Sequence, residues 1–265
     1  MHPGSIPGEA SNGGGRREPT DTAVFVDKLE GAARASVSGS RMESDYSGQR
    51  LRMVDGQLRT TDVTSAAVLE AMLSVPREEF LDVSKRPLAY IDEDLIVAPA
   101  GRGGVSRYMM EPSPFAKLLQ LAEIGPADFV LDVGCCTGYS SAVLSRLASS
   151  VVALESDGTL ADLASANLVR LGYDNVAVVR GPLDLGYPAE APYDVIILGG
   201  AVQVVPDGLL AQLKEGGRLV AVEGSGNAGR ARLYLKSGDT VTARNAFNCA
   251  IKPLPGFERA RTFEF

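Results

Sequence analysis

From Phe129 to Val222 the chain repeats one pattern: a short apolar run, a turn, a helical stretch, and another apolar run. The runs are Phe129–Val133, Val151–Leu154, Val176–Val179, Val195–Leu198 and Arg218–Val222. Continuous Val, Ile and Leu are expected in strands covered on both faces. Helical stretches fall between most of them: a turn and helix to about Leu147, then Leu160–Leu171 closed by Gly172, then Pro206–Leu213 ending near Gly216-Gly217. Strands and helices in alternation build an open, mostly parallel sheet with right-handed crossovers, an α/β fold. Further on, Ala231–Leu235 and Thr240–Ala243 flank Lys236-Ser237-Gly238-Asp239 and read as an antiparallel hairpin. No internal repeat is found.

Upstream the pattern is less regular. Val63–Leu73 reads as a helix with Val68, Ala71 and Met72 on one face, Asp62 or Thr64 as its cap, and Val75-Pro76-Arg77 as its end. Leu88–Pro99 is mixed and extended. A second helix, capped by Ser113 with Pro114 in its first turn, runs through Leu121. Residues 1–48 are rich in Gly, Ser, Arg and acidic residues and are expected to be a disordered extension, with Met42 or Met53 as alternative starts. The domain proper is then 49–265, divided into a helical and extended part, 49–125, and the sheet, 126–265.

Composition narrows the chemistry. The formal net charge is −7 and no dense Lys/Arg run occurs, which argues against nucleic acid as a partner. The one His is His2, so His-based catalysis and a zinc site are not expected. Three Cys, two of them adjacent (Cys135-Cys136), make a poor disulfide framework and suit a reducing compartment. Without an 18-residue apolar stretch or a signal-peptide pattern, a cytoplasmic protein with no membrane partner is expected.

Ligands of an open parallel sheet sit beyond the carboxyl ends of its strands. The first such strand ends in Asp132-Val133-Gly134-Cys135-Cys136-Thr137-Gly138-Tyr139. Gly134 and Gly138 allow a tight turn and close backbone approach. Glu155, at the end of the next strand, is placed to accept from both hydroxyls of a ribose. The dinucleotide fingerprint fails because Cys136 stands where a middle Gly is wanted, and a phosphate-binding Gly-Lys-Ser/Thr is missing. Asp132 points to a cationic ligand end, and S-adenosylmethionine carries an ammonium and a sulfonium. An ordinary strand–turn–helix with an incidental acidic residue is the alternative.

Several segments in the same order resemble the protein-L-isoaspartate (D-aspartate) O-methyltransferases, class I S-adenosylmethionine-dependent enzymes of protein repair. They are Met53–Arg59, Val75-Pro76-Arg77-Glu78-Glu79-Phe80, Ala89-Tyr90, Val130–Tyr139, Ala191–Ile196 and Gln212–Val220. The resemblance implies a Rossmann-like, doubly wound seven-stranded sheet with helices on both faces and strand order 3-2-1-4-5-7-6. It implies that Asp132, Gly134, Cys135, Gly138 and Tyr139 hold the methionine half of the cofactor, with Glu155 and Ser156 at the ribose. Gly181, Pro182 and Leu183 would lie at the adenine. Tyr108, Met110, Glu111 and Pro112 would line the place where methyl donor meets an isoaspartyl residue of a protein or peptide. No catalytic residue is assigned, because the family's Ser/Thr position is Met110 here; Ser106 and Ser113 are the candidate replacements. Pro182 stands where an Asp would meet the adenine amino group, a loss worth about 1 kcal/mol or more. Cys136 is expected to serve as a small buried hydrophobe rather than a reactive thiol. Three readings stay open: isoaspartyl methylation, a methyltransferase with another acceptor, and a non-catalytic relative that binds cofactor or protein.

Overall fold

The computed structural model describes residues 46–100, 105–226 and 228–258. The expected extension lies outside them except for residues 46–48, which are helical. Helix α1 (46–53) runs into a π-helical turn, Val54–Leu58, and a 3-10 turn, Arg59–Thr61. Asp62 follows in the left-handed region at φ 68°. Helix α2, Ala66–Ser74, starts later than its apolar pattern suggests. Gln120 Oε1 takes the amides of Thr64 and Ser65 at 2.7 and 2.9 Å, and Ser65 rather than Asp62 or Thr64 becomes the cap. Val75 ends the helix as expected.

A short hairpin, β1 (Leu95–Ala98) with β2 (Arg107–Met109), precedes α3, Pro112–Ala122. Ser113 is not the cap of α3. The helix begins at Pro112, which has no N–H to leave unpaired, with Glu111 at the cap position. Ser113 sits inside the first turn, its hydroxyl 2.7 Å from that of Thr61.

The sheet has seven strands: β3 (Phe129–Val133), β4 (Ser150–Glu155), β5 (Val176–Arg180), β6 (Tyr193–Val202), β7 (Leu213–Ser225), β8 (Ala228–Ser237) and β9 (Thr240–Asn248). Its order is β5-β4-β3-β6-β7-β8-β9. The first five are parallel, and β8 runs antiparallel to both its neighbours. Counted from β3, this is 3-2-1-4-5-6-7, not the expected exchange of the last two strands. The reason is local: only residues 226 and 227 join β7 to β8, and a two-residue link can serve only adjacent antiparallel strands. The predicted hairpin is present but longer, paired from Ser237↔Thr240 out to Arg230↔Asn248.

Helices α4 (Tyr139–Ser145) and α5 (Gly158–Arg170) follow β3 and β4, and α6 (Asp207–Ala211) precedes β7. One sheet face presents Val130, Val151, Val195 and Ile197 to residues of α2, α3 and α4. The other presents Leu131, Val133, Leu154, Ile196 and Leu198 to Leu183, Leu209 of α6, Leu254 and Phe257. The last described segment, 251–258, therefore packs over the sheet, fixed by Ala201 N–H to Lys252 O (2.9 Å) and Leu254 N–H to Ala201 O (2.8 Å). With β4 on one side of β3 and β6 on the other, chain connections diverge at β3, and a crevice opens at its carboxyl end.

Candidate functional site

Asp132 and the loop after it occupy that crevice. Gly134 and Gly138 have φ of 88° and 95°, so both turns use the left-handed region that glycine enters freely. A Cβ at Gly138 would lie 3.3 Å from Leu168, so its absence also lets α5 approach the loop. Cys136, between them, holds φ 52° although it is not a glycine. Burial pushes its thiol up to about 12, with the Arg107 cation pulling the other way, so the sulfur stays protonated. The hydrophobe reading fits that state, and a reactive thiolate does not.

A small cavity of about 30 Å³ lies in front of the loop, room for little more than a water molecule. Tyr108, Met109, Met110 and Phe115 wall one side; Asp132, Gly134, Cys135, Cys136, Thr137, Tyr139 and Ser140 wall the other, with Ile197 and Gly199 at the base. The lining is mainly apolar, with one buried acid. Asp132 Oδ2 accepts from the hydroxyls of Ser140 and Ser141, both at 2.6 Å. Among the described residues, Asp132 Oδ1 is buried with no partner. Burial raises the carboxyl to about 6, offset in part by the two serines and reinforced by Glu155.

The segment opposite is held by Arg77, which is fully buried. Its Nε donates to Ala89 O and its Nη2 to Met110 O, each at 2.7 Å, and its guanidinium lies 4.8 Å from the Tyr139 ring centroid. One side chain thus ties together three separated sequence matches: Val-Pro-Arg, Ala-Tyr and the acceptor segment. Ser106 Oγ accepts from Ala100 N–H, and Ser113 faces Thr61; neither hydroxyl lines the cavity, so neither replaces the family hydroxyl at Met110.

Glu155 is in a different condition. It is fully buried and does not reach the cavity. Its Oε1 accepts from Arg107 Nη1, Ser156 N–H (2.8 Å) and Asp157 N–H (3.0 Å). Its Oε2 accepts from Arg107 Nη2 and Cys136 N–H, both at 2.9 Å. Burial works against the Arg107 charge, but its Cys136 and Glu155 neighbours outweigh that and raise its pKa. Gly181 and Pro182 stand apart from the cavity, Pro182 exposed, while Leu183 is buried with Leu254 and Phe257. Leu254 also reaches the loop: a Cβ at Gly134 would lie 2.6 Å from its Cδ1. Ser156 is exposed, Pro112 is buried in α3, and Glu111 turns toward Asp92 and Asp94. The geometry therefore gathers Tyr108, Met110, Asp132, Gly134, Cys135 and Tyr139, and leaves Glu155 and 181–183 outside the cavity. Arg107, Phe115 and Gly199 carry no site signal in the sequence, and Arg77 and Thr137 lie in family-like segments without an assigned role; all five join the site only in the fold. The Arg107–Glu155 pair spans 48 positions, and no local pattern announces it.

A profile of the family described as protein-L-isoaspartate (D-aspartate) O-methyltransferase matches residues 50–257. A protein-L-isoaspartate O-methyltransferase of Koribacter versatilis is 38% identical over 207 residues, covering 78% of this chain and 90% of its own length. One from Rhodopseudomonas palustris is 36% identical over 217 residues, 81% of this chain and 86% of that protein. The chain belongs to the protein-L-isoaspartate O-methyltransferase family. A solved structure of a protein with that name shares 28% identity at a TM-score of 0.69, covering 78% of this chain and 66% of the other. A Plasmodium falciparum structure in complex with S-adenosyl-L-homocysteine, 17% identical with a TM-score of 0.65, covers 77% of this chain and 97% of its own; it shares the fold. Among the described residues, no helix is long and apolar enough to cross a membrane, and no group of three His, Cys, Asp or Glu gathers as a metal site.

Proposed function

We propose that this chain binds S-adenosylmethionine and methylates the free carboxylate of L-isoaspartyl residues in proteins or peptides, in the cytoplasm. The observation that carries the reading is the unpartnered Asp132 Oδ1, buried at the wall of an apolar cavity. A buried acceptor left without a donor is costly, and an ammonium group would satisfy it. The residues present fit the amino-acid end of the cofactor: Asp132 for the cation, and Gly134, which lines the cavity, for close backbone approach. Bound there, the cofactor supplies an electrophilic methyl group that a carboxylate oxygen displaces from the sulfonium, the electron pair staying on sulfur.

The chain's own residues have little proton chemistry to do. A carboxylate with a pKa of about 4 is ionised at neutral pH, so neither a His at the cavity nor a hydroxyl at position 110 is required as a base. Tyr108, Met109, Met110 and Phe115 exclude water and orient the acceptor, which is where the rate must come from. Arg77 fixes that wall through the Met110 carbonyl.

One observation favours a second reading, an acceptor that is not an anion. Glu111, next to Met110, is raised to about 7 by burial and then by its neighbours Asp92 and Asp94, and Asp94 and Met110 share a small cleft with Arg107 and Tyr108. Glu111 disfavours a second negative charge beside it, against the cations of Arg107 and Lys252 that also line the cleft. The two readings separate in one assay: mass spectrometry of an isoaspartyl peptide and its aspartyl twin, each incubated with enzyme and S-adenosylmethionine. Methylation of the isoaspartyl peptide alone is expected. Binding of S-adenosylhomocysteine with neither peptide methylated contradicts isoaspartyl methylation and leaves the other acceptor.

A further inference from the structure

The nucleoside end of the crevice is filled by the protein itself. Glu155 is the acid that a ribose diol would need, yet both its oxygens are taken. Three backbone amides (Cys136, Ser156, Asp157), the Ser156 hydroxyl and the two guanidinium nitrogens of Arg107 supply six donors to two oxygens. A carboxylate has about four lone-pair sites. No acceptor capacity is left for a pair of hydroxyls.

Three of these donors belong to the backbone of the same loops and are fixed with the fold. Arg107 is different: it reaches across from β2, the strand that leads directly into the Tyr108–Met110 wall. Its side chain is held by the substituted loop position. Arg107 Nη2 lies 3.3 Å from Cys136 Sγ, and the same sulfur donates to Tyr108 O at 3.3 Å. The left-handed Cys136 is thus the rest on which the guanidinium lies. A Cβ at Gly134 would come within 3.2 Å of Arg107 Nη2, so the guanidinium also crosses the glycine that would admit a ligand.

We propose that Arg107 is a gate on the cofactor site: its guanidinium stands on Glu155 where a ribose hydroxyl would bond, the three fixed amides leaving about one lone-pair site for it, and nucleoside binding requires the guanidinium to swing away. The gate rests on the cofactor reading above and adds to it a specificity-determining residue that Glu155 alone does not provide. The closed pair competes with the ligand, so the apparent dissociation constant is the intrinsic one divided by the open fraction. Removing the competitor tightens binding, whereas damage to a merely structural ion pair would weaken it.

Calorimetric titration of the full chain with S-adenosylhomocysteine tests this, comparing wild type with Arg107→Gln and Cys136→Gly. Arg107→Gln keeps a polar side chain without the bidentate charge, and binding should tighten about tenfold or more. Cys136→Gly leaves Arg107 in place but removes its rest and relieves the left-handed backbone, and a smaller gain of about threefold is expected. Because Glu155 keeps its three backbone donors, both variants are expected to fold, as circular dichroism will verify. If Arg107→Gln does not fold, the gain with Cys136→Gly decides. Wild type that binds, with folded variants equal or weaker, overturns the gate and leaves the cofactor reading standing. No binding by wild type or either variant overturns both.

Discussion

Two carboxylates mark the ends of the crevice, and the fold treats them in opposite ways. Asp132 and Glu155 lie at the carboxyl ends of adjacent parallel strands and are both fully buried. Among the described residues, Asp132 has two serine donors on one oxygen, none on the other, and no cation paired with it. Glu155 has more donors than it can use, one of them a buried guanidinium. The first keeps an acceptor open, which on the proposed reading takes a cationic group. The second is a site already occupied by one. The difference teaches that a motif carboxylate is not equivalent to an available carboxylate: what distinguishes them is the partner count, not burial.

The largest effect expected from this contrast is on stability at the Glu155 end. Glu155→Ala leaves the Arg107 guanidinium buried without its partner and should cost about 3–5 kcal/mol in urea unfolding. Arg107→Gln should cost about half that or less, because Glu155 retains three amide donors. Equal costs would break the distinction between fixed and removable donors.

Asp132 should show the next effect, and its sign is set by the direction of the shift. A carboxyl raised to about 6 in the folded protein holds its proton over a range where the unfolded chain, near 4, has lost it. Its contribution to stability therefore falls as pH rises from about 4 to about 6 and levels off above. Asp132→Asn removes this dependence, so the stability difference between variant and wild type should change by on the order of 3 kcal/mol between pH 7 and pH 4. Parallel stability curves for the two proteins would show that Asp132 is not penalised by burial.

The smallest effect concerns the wall that both ends share. Met110→Ser places a hydroxyl where the family resemblance expects one, and a single hydrogen bond of about 1 kcal/mol corresponds to a roughly fivefold gain in kcat on an isoaspartyl peptide. An unchanged kcat would mean that the acceptor does not reach that side chain.

Much of this is legible in the amino-acid sequence. The five parallel strands follow from apolar runs too long for one-sided burial, and the family likeness of Val-Pro-Arg, Ala-Tyr and the Asp132 loop points to segments that the fold brings together at the end of β3. Helix starts are less legible because tertiary contacts move them: Gln120 takes the Thr64 and Ser65 amides that would otherwise seek a local cap. The strand order departs from the family expectation, although the two-residue β7–β8 link that decides it is itself written in the chain. At the site, Asp132 is identified by its place in the loop, and Cys136 stands out as a substitution. Its consequence is hidden, since only folding brings Arg107 onto Cys136 and Glu155. Likewise, Arg77 reads as part of a signature, and its grip on Met110 emerges only in three dimensions.

The most direct test of the account is the affinity of S-adenosylhomocysteine for wild type and Asp132→Asn at pH 8, where the Asp132 carboxyl is ionised. A buried carboxylate that bonds the ligand's ammonium group is worth about 1.5–3 kcal/mol, so the substitution should weaken binding about 10- to 100-fold with the fold intact. Equal affinity for the two proteins would mean that the unpartnered oxygen of Asp132 is not where the ligand binds.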